Sequence, residues 1–172
     1  MLIVELLDAD AAAAAVPQLA EVLAECVDAG ASVSFMAPFD RAEAVAHFEA
    51  AAREVAAGRR LLLAAFDGQR VVGTVQVLLA MPPNQPHRGE IAKLLVRPAS
   101  RGQGIARRLM ERAEAEALAA GKTLLLLDTA SDVAERLYER LGWTRLGVVP
   151  DFALLPDGRP CATTFFWKRL DA

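Results

Sequence analysis

The strongest constraint on the fold comes from one segment, in which an apolar strand runs through a glycine-containing turn into a long amphipathic helix. Residues 90–96 are mostly apolar and predict a strand, and Gly102 and Gly104 follow where the backbone must turn. Residues 102–120 predict a helix, because apolar side chains recur about every four residues and Gly121 ends the pattern. The expected buried side of this helix is Ile105, Leu109, Met110, Ala113 and Ala117. The chain therefore combines strands with helices.

Strand-like and helix-like runs alternate through the rest of the chain. Further strands are predicted at residues 2–7, 61–66, 71–81, 124–127, 143–153 and 163–170, and further helices at residues 8–29, 39–57 and 133–141. The order is strand, two helices, three strands, helix, strand, helix and two strands. This order predicts an α/β (α+β) fold, with a mixed sheet of about seven strands and about four helices covering both faces.

Local signals indicate where the first elements begin and turn. Asp8 or Asp10 can cap the first helix, and Pro17 marks either the start of that helix or a bend in it. The Asp67-Gly68 pair between two apolar runs predicts a hairpin turn.

The later elements carry comparable signals. Ser131 or Asp132 can cap the last helix, and the unbroken apolar run at 124–127 predicts a strand covered on both faces. For the second helix the expected buried side is Ala42, Val45, Ala46, Phe48 and Ala52.

Length and charge narrow the class of protein. The chain has 172 residues, which predicts a single domain spanning 1–172. The formal net charge of -3 argues against nucleic acid as a partner, which requires a basic face. No apolar run approaches the ~20 residues of a membrane span, and residues 1–5 lack the basic region of a signal peptide. We expect a cytoplasmic protein that is a monomer or a homodimer.

The two cysteines do not indicate a metal site. Cys26 and Cys161 lie far apart in the sequence, with no metal-ligand spacing around them. We expect two reduced core thiols and no metal.

The turn before the long helix has the parts of a phosphate cradle. Gly102 and Gly104 let consecutive N–H groups point outward, and the following helix adds its free N-terminal amides and the positive end of its dipole. Arg101, Arg107 and Arg108 bring positive charge to the same place. The turn is neither a Walker loop nor a dinucleotide fingerprint, because the residues that define those motifs are absent.

Two motifs in this part of the chain resemble one family. Residues 101–106 match the Arg/Gln-x-x-Gly-x-Gly/Ala signature of the GNAT superfamily of N-acetyltransferases, and residues 134–143 resemble its second signature, Ala-x-x-Leu-Tyr-x-x-x-Gly-aromatic. The chain departs from the family at Ser131, where Asn is common; the Ser131 hydroxyl can still cap the helix.

The resemblance implies acetyl-CoA as cosubstrate. In this superfamily the first motif binds the pyrophosphate, and the sheet splays open after the strand corresponding to residues 90–96, with the pantetheine arm and thioester in the gap. The implied cofactor contacts are Leu94, Leu95, Val96, Arg101, Gly102, Gln103, Gly104, Ile105, Ala106, Arg107 and Ser131.

A closer resemblance concerns the acceptor. Residues 30–36, 90–94, 127–129 and 156–159 look like the tabtoxin-resistance branch, whose members acetylate an amine on a β-lactam amino-acid toxin. This resemblance implies a small, amino-acid-like acceptor. Because the region between the first two helices covers the acceptor site in the superfamily, we expect substrate contacts from Ser32, Phe35 and Met36.

Acetyl transfer to an amine needs a base, a stabilised oxyanion and a proton for the departing thiolate. The resemblance assigns the last task to Tyr138, the only tyrosine in the chain. A backbone N–H of residues 94–96 would meet the oxyanion. Glu90 and Asp128 are equal candidates for the base, because adjacent strands of the expected fold carry them.

Other polar and aromatic residues are expected to have no catalytic role. Lys93 alternates with apolar residues and is interpreted as a surface or cofactor-facing charge. We expect His47 and His87 to be solvated, on a helix face and in a loop respectively, and Trp143 and Trp167 to lie in the core.

Three functions stay open at this point. The first is a small-molecule N-acetyltransferase, the second an acetyltransferase acting on a protein N-terminus or lysine, and the third a non-catalytic CoA-binding module. Tyr138, Glu90 and Asp128 weigh against the third, because a binding module needs none of them. The acidity of the chain favours the first over the second.

Overall fold

A seven-stranded sheet forms the centre of the molecule in a computed structural model, which describes residues 1–171. Its strands lie in the order β1-β2-β3-β4-β5-β7-β6, and all neighbours are antiparallel except β4 and β5. The strands are β1 (Leu2–Leu6), β2 (Arg60–Asp67), β3 (Arg70–Leu78), β4 (Arg88–Val96), β5 (Leu124–Thr129), β6 (Thr144–Leu154) and β7 (Pro160–Arg169). The predicted fold class and the predicted order of elements are confirmed.

Four α-helices flank the sheet, and a short 3₁₀ turn, Pro98–Ser100, precedes the third. They are α1 (Ala9–Asp28), α2 (Arg41–Ala56), α3 (Ile105–Ala119) and α4 (Asp132–Arg140). Side-chain oxygens of Asp8, Asp40 and Ser131 cap α1, α2 and α4 by accepting a hydrogen bond from a first-turn amide. The N-cap of α3 is Gly104, which has no side chain to do this.

The helices lie on both faces of the sheet and bury two hydrophobic clusters. Two successive residues of β2 show that the clusters lie on opposite faces of the sheet. Leu62 packs with α1 and α2, whereas Leu63 packs with α3. All five residues expected on the buried side of α3 are buried. Tyr138, Trp143 and Phe166 extend the α3-side cluster toward α4.

Some local predictions were wrong. Of the two alternatives for Pro17, the start of the first helix is wrong, because the helix begins at Ala9 and continues through Pro17; the bend stays a prediction. In α2 the buried residues are Ala44, Phe48, Ala51 and Ala52, while Ala42 and Ala46 are exposed. Because alanines lie on several sides of α2, the sequence was compatible with two different buried sides of this helix.

β5 is covered less completely than its apolar run predicted. Leu125 and Leu127 are buried against the α3 side, but Leu124 and Leu126 are only half-buried. The two-sided burial predicted for 124–127 is therefore wrong for one face, since the core cluster of α1 and α2 includes no residue of this strand. That face of the sheet is accessible where β5 meets β4.

The Asp67-Gly68 hairpin is confirmed. Asp67 pairs with Arg70, and Gly68 in the turn has φ +60°. No helix within residues 1–171 is long and apolar enough to cross a membrane.

Candidate active site

The centre of the sheet opens because β4 and β5 pair over only part of their length. Arg88, Gly89 and Glu90 pair in parallel with Leu124, Leu125 and Leu126. Beyond Glu90, β4 continues to Val96 and β5 to Thr129 without pairing to each other. The two strands therefore enclose a gap that begins at Glu90.

A β-bulge interrupts β4 beside this gap. Thr74 pairs with Leu95 and Gln76 pairs with Ala92, so two residues of β4, Lys93 and Leu94, lie opposite Val75. Lys93 adopts φ +51°, which is uncommon for a residue other than glycine. The bulge changes the direction of the side chains that follow it.

The residues after the bulge present an amide to the gap. The N–H of Arg97 donates to Val72 of β3. Because N–H directions alternate along a regular strand, the N–H group of Val96 points to the opposite edge, which β5 does not occupy. The Leu95 side chain is buried with α1 and α2.

The glycine turn forms an exposed cradle at the start of α3. Gly102 and Gly104 have φ +78° and +74°, and a Cβ added at either would meet no atom within 4 Å. The first hydrogen bond of the helix runs from Arg108 N to Gly104 O at 3.2 Å. The amides of Ile105, Ala106 and Arg107 precede it and have no acceptor within the helix.

The other predicted cofactor residues surround this cradle. Arg101 is exposed, and its Nε donates to Val96 O at 3.3 Å. Gln103 is exposed in the turn, and Arg107 pairs with Glu111 one turn along α3. Ser131 lies at the start of α4, where its Oγ accepts from Ala134 N at 3.3 Å.

The two candidate bases lie on either side of the gap. Asp128 follows Leu126, the partner of Glu90, by two residues and therefore lies on the same face of the sheet as Glu90. Glu90 accepts a hydrogen bond of 2.5 Å from Arg88. Asp128 is in contact with solvent, yet partial burial of its carboxyl raises its pKa; the Lys93 ammonium opposes this rise and Glu90 adds to it.

Tyr138 lies in the aromatic part of the α3-side cluster. It is 4% exposed, and its ring centre is 6.0 Å from that of Trp143 and 5.7 Å from that of Phe166. Burial raises the pKa of Tyr138, and the negative charge of Asp128 raises it further. The phenol therefore keeps its proton at neutral pH and can act as a donor.

The loop between α1 and α2 crosses toward the β6–β7 hairpin. Ser32 Oγ donates to Leu154 O at 2.9 Å, and Ala37 N donates to Pro156 O at 2.9 Å. Phe35 is half-buried, whereas Met36 is 44% exposed. We call residues 30–40 the strap, because they join α1 to α2 and contact this hairpin.

Two residues at this site were misjudged from the sequence. His47 is half-buried, with its ring at 5.6 Å from Phe35 and 5.0 Å from Phe48, so the predicted solvation is wrong. Burial, with the charges of Lys93 and Arg60, lowers the pKa of His47 to about 4. Lys93 is half-buried and donates to Ser34 in the strap at 3.1 Å, so the interpretation as a surface charge is wrong, while that as a cofactor-facing charge stays a prediction.

The remaining expectations have mixed outcomes. His87 is exposed and Trp143 is buried, as predicted, but Trp167 is only half-buried. Cys26 and Cys161 are free thiols, of which only Cys26 is buried. In the described part of the chain no group of three or more His, Cys, Asp or Glu residues could hold a metal ion.

Comparison with known proteins assigns the family. The model of the acetyltransferase (GNAT) family matches residues 24–143, which is more than half of the chain. The chain therefore belongs to the GNAT acetyltransferase family. The resemblance of its two motifs is confirmed at this level, while the closer resemblance to the tabtoxin-resistance branch stays a prediction.

Individual relatives agree with this assignment. An IAA acetyltransferase from Azospirillum brasilense is 46% identical over 61 residues, which cover 34% of this chain and 40% of that protein. An N-acetyltransferase from Staphylococcus aureus has a TM-score of 0.81 at 17% identity, over 99% of both chains. A putative acetyltransferase from Salmonella typhimurium, with its cofactor acetyl-CoA, has a TM-score of 0.81 at 21% identity, over 100% of this chain and 95% of that one. At these identities the two structures show the fold alone.

Proposed function

We propose that the protein is an N-acetyltransferase that moves an acetyl group from acetyl-CoA to the amine of a small, amino-acid-like acceptor, by direct attack in a ternary complex. The observation that carries this proposal is the gap between β4 and β5. Glu90 and Asp128 lie on one face of it, and the unpaired N–H group of Val96 faces it from one edge.

The residues present suit acetyl-CoA. The open space over Gly102 and Gly104 and the free amides of the first turn of α3 can receive an anion such as a pyrophosphate. Arg101 and Arg107 add positive charge beside it. When bound, acetyl-CoA supplies the activated acetyl thioester.

The chain's own residues would then perform three tasks. Asp128 or Glu90 accepts the proton of the acceptor amine, directly or through water. The N–H group of Val96, whose position is fixed by the pairing of Val96 with Gly73 of β3, donates to the oxygen that becomes negative. Tyr138, whose phenol burial keeps in the neutral form, donates its proton to the departing thiolate.

The strap favours a small acceptor over a folded protein. Its hydrogen bonds to Leu154 and Pro156 connect it to the β6–β7 hairpin, and Lys93 contacts it from β4. Phe35 and Ser34 thus lie over the same face of the sheet as the two carboxylates. Such a cover over the two carboxylates is an argument for a small acceptor.

Free-thiol release from acetyl-CoA, measured across matched acceptors, tests the proposal. One set contains free amino acids and β-lactam amino acids, and the other contains short peptides with free N-termini or internal lysines. We expect thiol release with members of the first set only. Efficient acetylation of the peptides with every small amine inert would replace the proposal by a protein acetyltransferase, and release with neither set would favour a binding module.

A further inference from the structure

The bulge in β4 redirects Lys93 from one face of the sheet to the other. Ile91 packs in the α3-side cluster, so simple alternation would place the side chain of Lys93 in that same apolar cluster. Instead, Lys93 contacts Ser34 and Phe35 on the face that carries Glu90 and Asp128. Its left-handed backbone conformation is unfavourable for a residue that carries a side chain, so the surrounding structure must offset this cost.

Lys93 is incompletely paired compared with the other lysines of the chain. Lys122 donates to two backbone carbonyls, and Lys168 donates to Glu114 and to the carbonyl of Leu141. Within residues 1–171, Lys93 forms no ion pair; its Nζ donates to Ser34 Oγ and lies 5.9 Å from the centre of the Phe35 ring. A half-buried ammonium with one hydroxyl partner has donors left for an anion.

The surroundings of Lys93 divide into a positive and a negative side. Arg60 and Lys93 both lower the pKa of His47, and Arg60 lowers that of Lys93, so two cations lie near one another beside α2. On the other side, the Asp128 carboxylate raises the pKa of Lys93, against the larger effect of burial, which lowers it. The field across the gap therefore suits a molecule with one positive and one negative group.

We propose that Lys93, with Ser34, is the receptor for an anionic group of the acceptor, so that the substrate is a zwitterion whose ammonium faces Asp128 and Glu90. The inference rests on the proposed N-acetyltransferase function and specifies its substrate class. The anionic group is a carboxylate in a free amino acid. Lys93 determines specificity and takes no part in proton transfer.

The test compares each L-amino acid with its own carboxamide, which keeps the amine and removes the negative charge. Wild-type protein and Lys93→Gln are assayed by thiol release from acetyl-CoA, and the acid-to-amide ratio of kcat/KM is taken for each protein. The different pKa values of the two amines cancel when the ratios of the two proteins are compared. Lys93→Arg serves as the charge-preserving control.

We expect Lys93→Gln to lower kcat/KM for the acids by about 10- to 100-fold, the range for losing a hydrogen bond to a charged group. The carboxamides should change by less than about threefold, and Lys93→Arg should restore much of the preference for acids. Ser34→Ala, which leaves the bulge intact, should lower the ratio in the same direction by a smaller factor.

Binding supplies a second readout. With CoA present, free amino acids should raise the melting temperature of the wild-type protein more than carboxamides do, and Lys93→Gln should lose this difference while keeping its response to acetyl-CoA. If Lys93→Gln leaves the acid-to-amide ratio of kcat/KM unchanged, the proposed role of Lys93 is wrong. If amines without a negative group, such as the carboxamides, are turned over as well as zwitterions, the inference fails and the N-acetyltransferase proposal stands; inertness of every amine overturns both.

Discussion

Tyr138 combines a buried ring with a proton that it retains at neutral pH. Tyr138→Phe keeps the packing against Trp143 and Phe166 and removes only the hydroxyl. We expect kcat to fall by about 10²–10⁴-fold, the usual range for the loss of a general acid. The shift in melting temperature with acetyl-CoA should stay at its wild-type value. A wild-type kcat in this variant would leave Tyr138 with a packing role alone.

In its proposed role as the base, Asp128 would link activity to pH, because burial raises the pKa of its carboxyl. As the pH falls through this pKa the base becomes protonated, so kcat/KM should decrease. Asp128→Asn should depress kcat/KM most at neutral pH and less at alkaline pH, where the amine has already lost its proton. Asp132→Asn, an exposed carboxylate in the first turn of α4, is the control and should retain the wild-type profile.

The same shift has a consequence for stability. A carboxyl whose folded-state pKa lies above its unfolded value destabilises the fold at pH above the folded pKa, and this cost disappears as the pH falls below the unfolded value. Asp128→Asn is therefore expected to match or exceed the wild-type melting temperature at pH 7. A clear loss of stability there would indicate that the carboxylate has a structural role.

The identities of the candidate bases could be proposed from the sequence, but the environment of Lys93 could not. Glu90 begins the predicted strand at 90–96 and Asp128 directly follows the predicted strand at 124–127, and the pairing of these strands brings the two residues together. The position of Lys93 depends on a bulge opposite Val75, and His47 is half-buried by the strap. Both arise from tertiary contacts that leave no periodic signal in the sequence.

At the scale of elements, the proposed binding of an anion at the glycine turn can be tested by placing a negative charge there. Gly104→Asp puts a carboxylate into the open space at the start of α3, where an anion is expected to bind. We expect this variant to lose the shift in melting temperature that acetyl-CoA causes in the wild-type protein. Differential scanning fluorimetry with and without acetyl-CoA measures this shift.

Gly121→Asp is the matched control for this prediction. Gly121 also has a positive φ, of +81°, and open space around its Cβ, but it lies beyond the other end of α3. Each substitution forces an aspartate into a left-handed conformation, but the helix dipole favours the carboxylate at position 104 and disfavours it at position 121, so Gly121→Asp should cost more stability without ligand. Only Gly104→Asp should abolish the ligand response; a normal response would contradict the assignment of this turn.

Helices were predicted better where polar residues limit the apolar stripe. In α3 charged residues separate the buried positions, and all five predicted positions are buried. In α2 alanines occupy several faces, and two of the predicted positions are exposed. Alanine forms helices well but contributes little to the choice of the buried side, because it has little apolar surface to bury.

At the scale of the molecule, Arg97 connects the first helix to the middle of the sheet. The side chain is 2% exposed; its Nε donates to Val71 O at 2.7 Å, and its guanidinium pairs with Glu21 and Glu25 of α1. Arg97→Met should lower the free energy of unfolding by about 1.5–3 kcal/mol through the loss of these charged hydrogen bonds. Denaturant unfolding measures the change.

Arg112→Met provides the comparison for a solvent-exposed pair. Arg112 and Glu116 form an ion pair four residues apart on α3, which is worth about 0.3–0.5 kcal/mol. If the two variants lose equal stability, Arg97 does not hold α1 to the sheet.

The order and class of all the elements were predictable because each carries its own periodicity, cap or turn. The opening between β4 and β5 was expected only from family resemblance, since no residue between Glu90 and Val96 stops a strand from pairing. Its cause lies in the whole sheet. β3 holds β4 on one side, while β7 pairs with β5 along its full length on the other.

The separation of β4 from β5 also leaves backbone hydrogen-bonding groups without a partner strand inside the protein. Strand edges normally attract another chain, and proteins shield them to avoid aggregation. Here the edge faces inward, and the amide of Val96 has no neighbouring strand to receive it. The pantetheine arm of acetyl-CoA is long and narrow and carries amides of its own, so it would form hydrogen bonds along this strand edge for as long as it stays bound. In each turnover the open edge would thus gain hydrogen-bond partners when acetyl-CoA binds and lose them when CoA leaves.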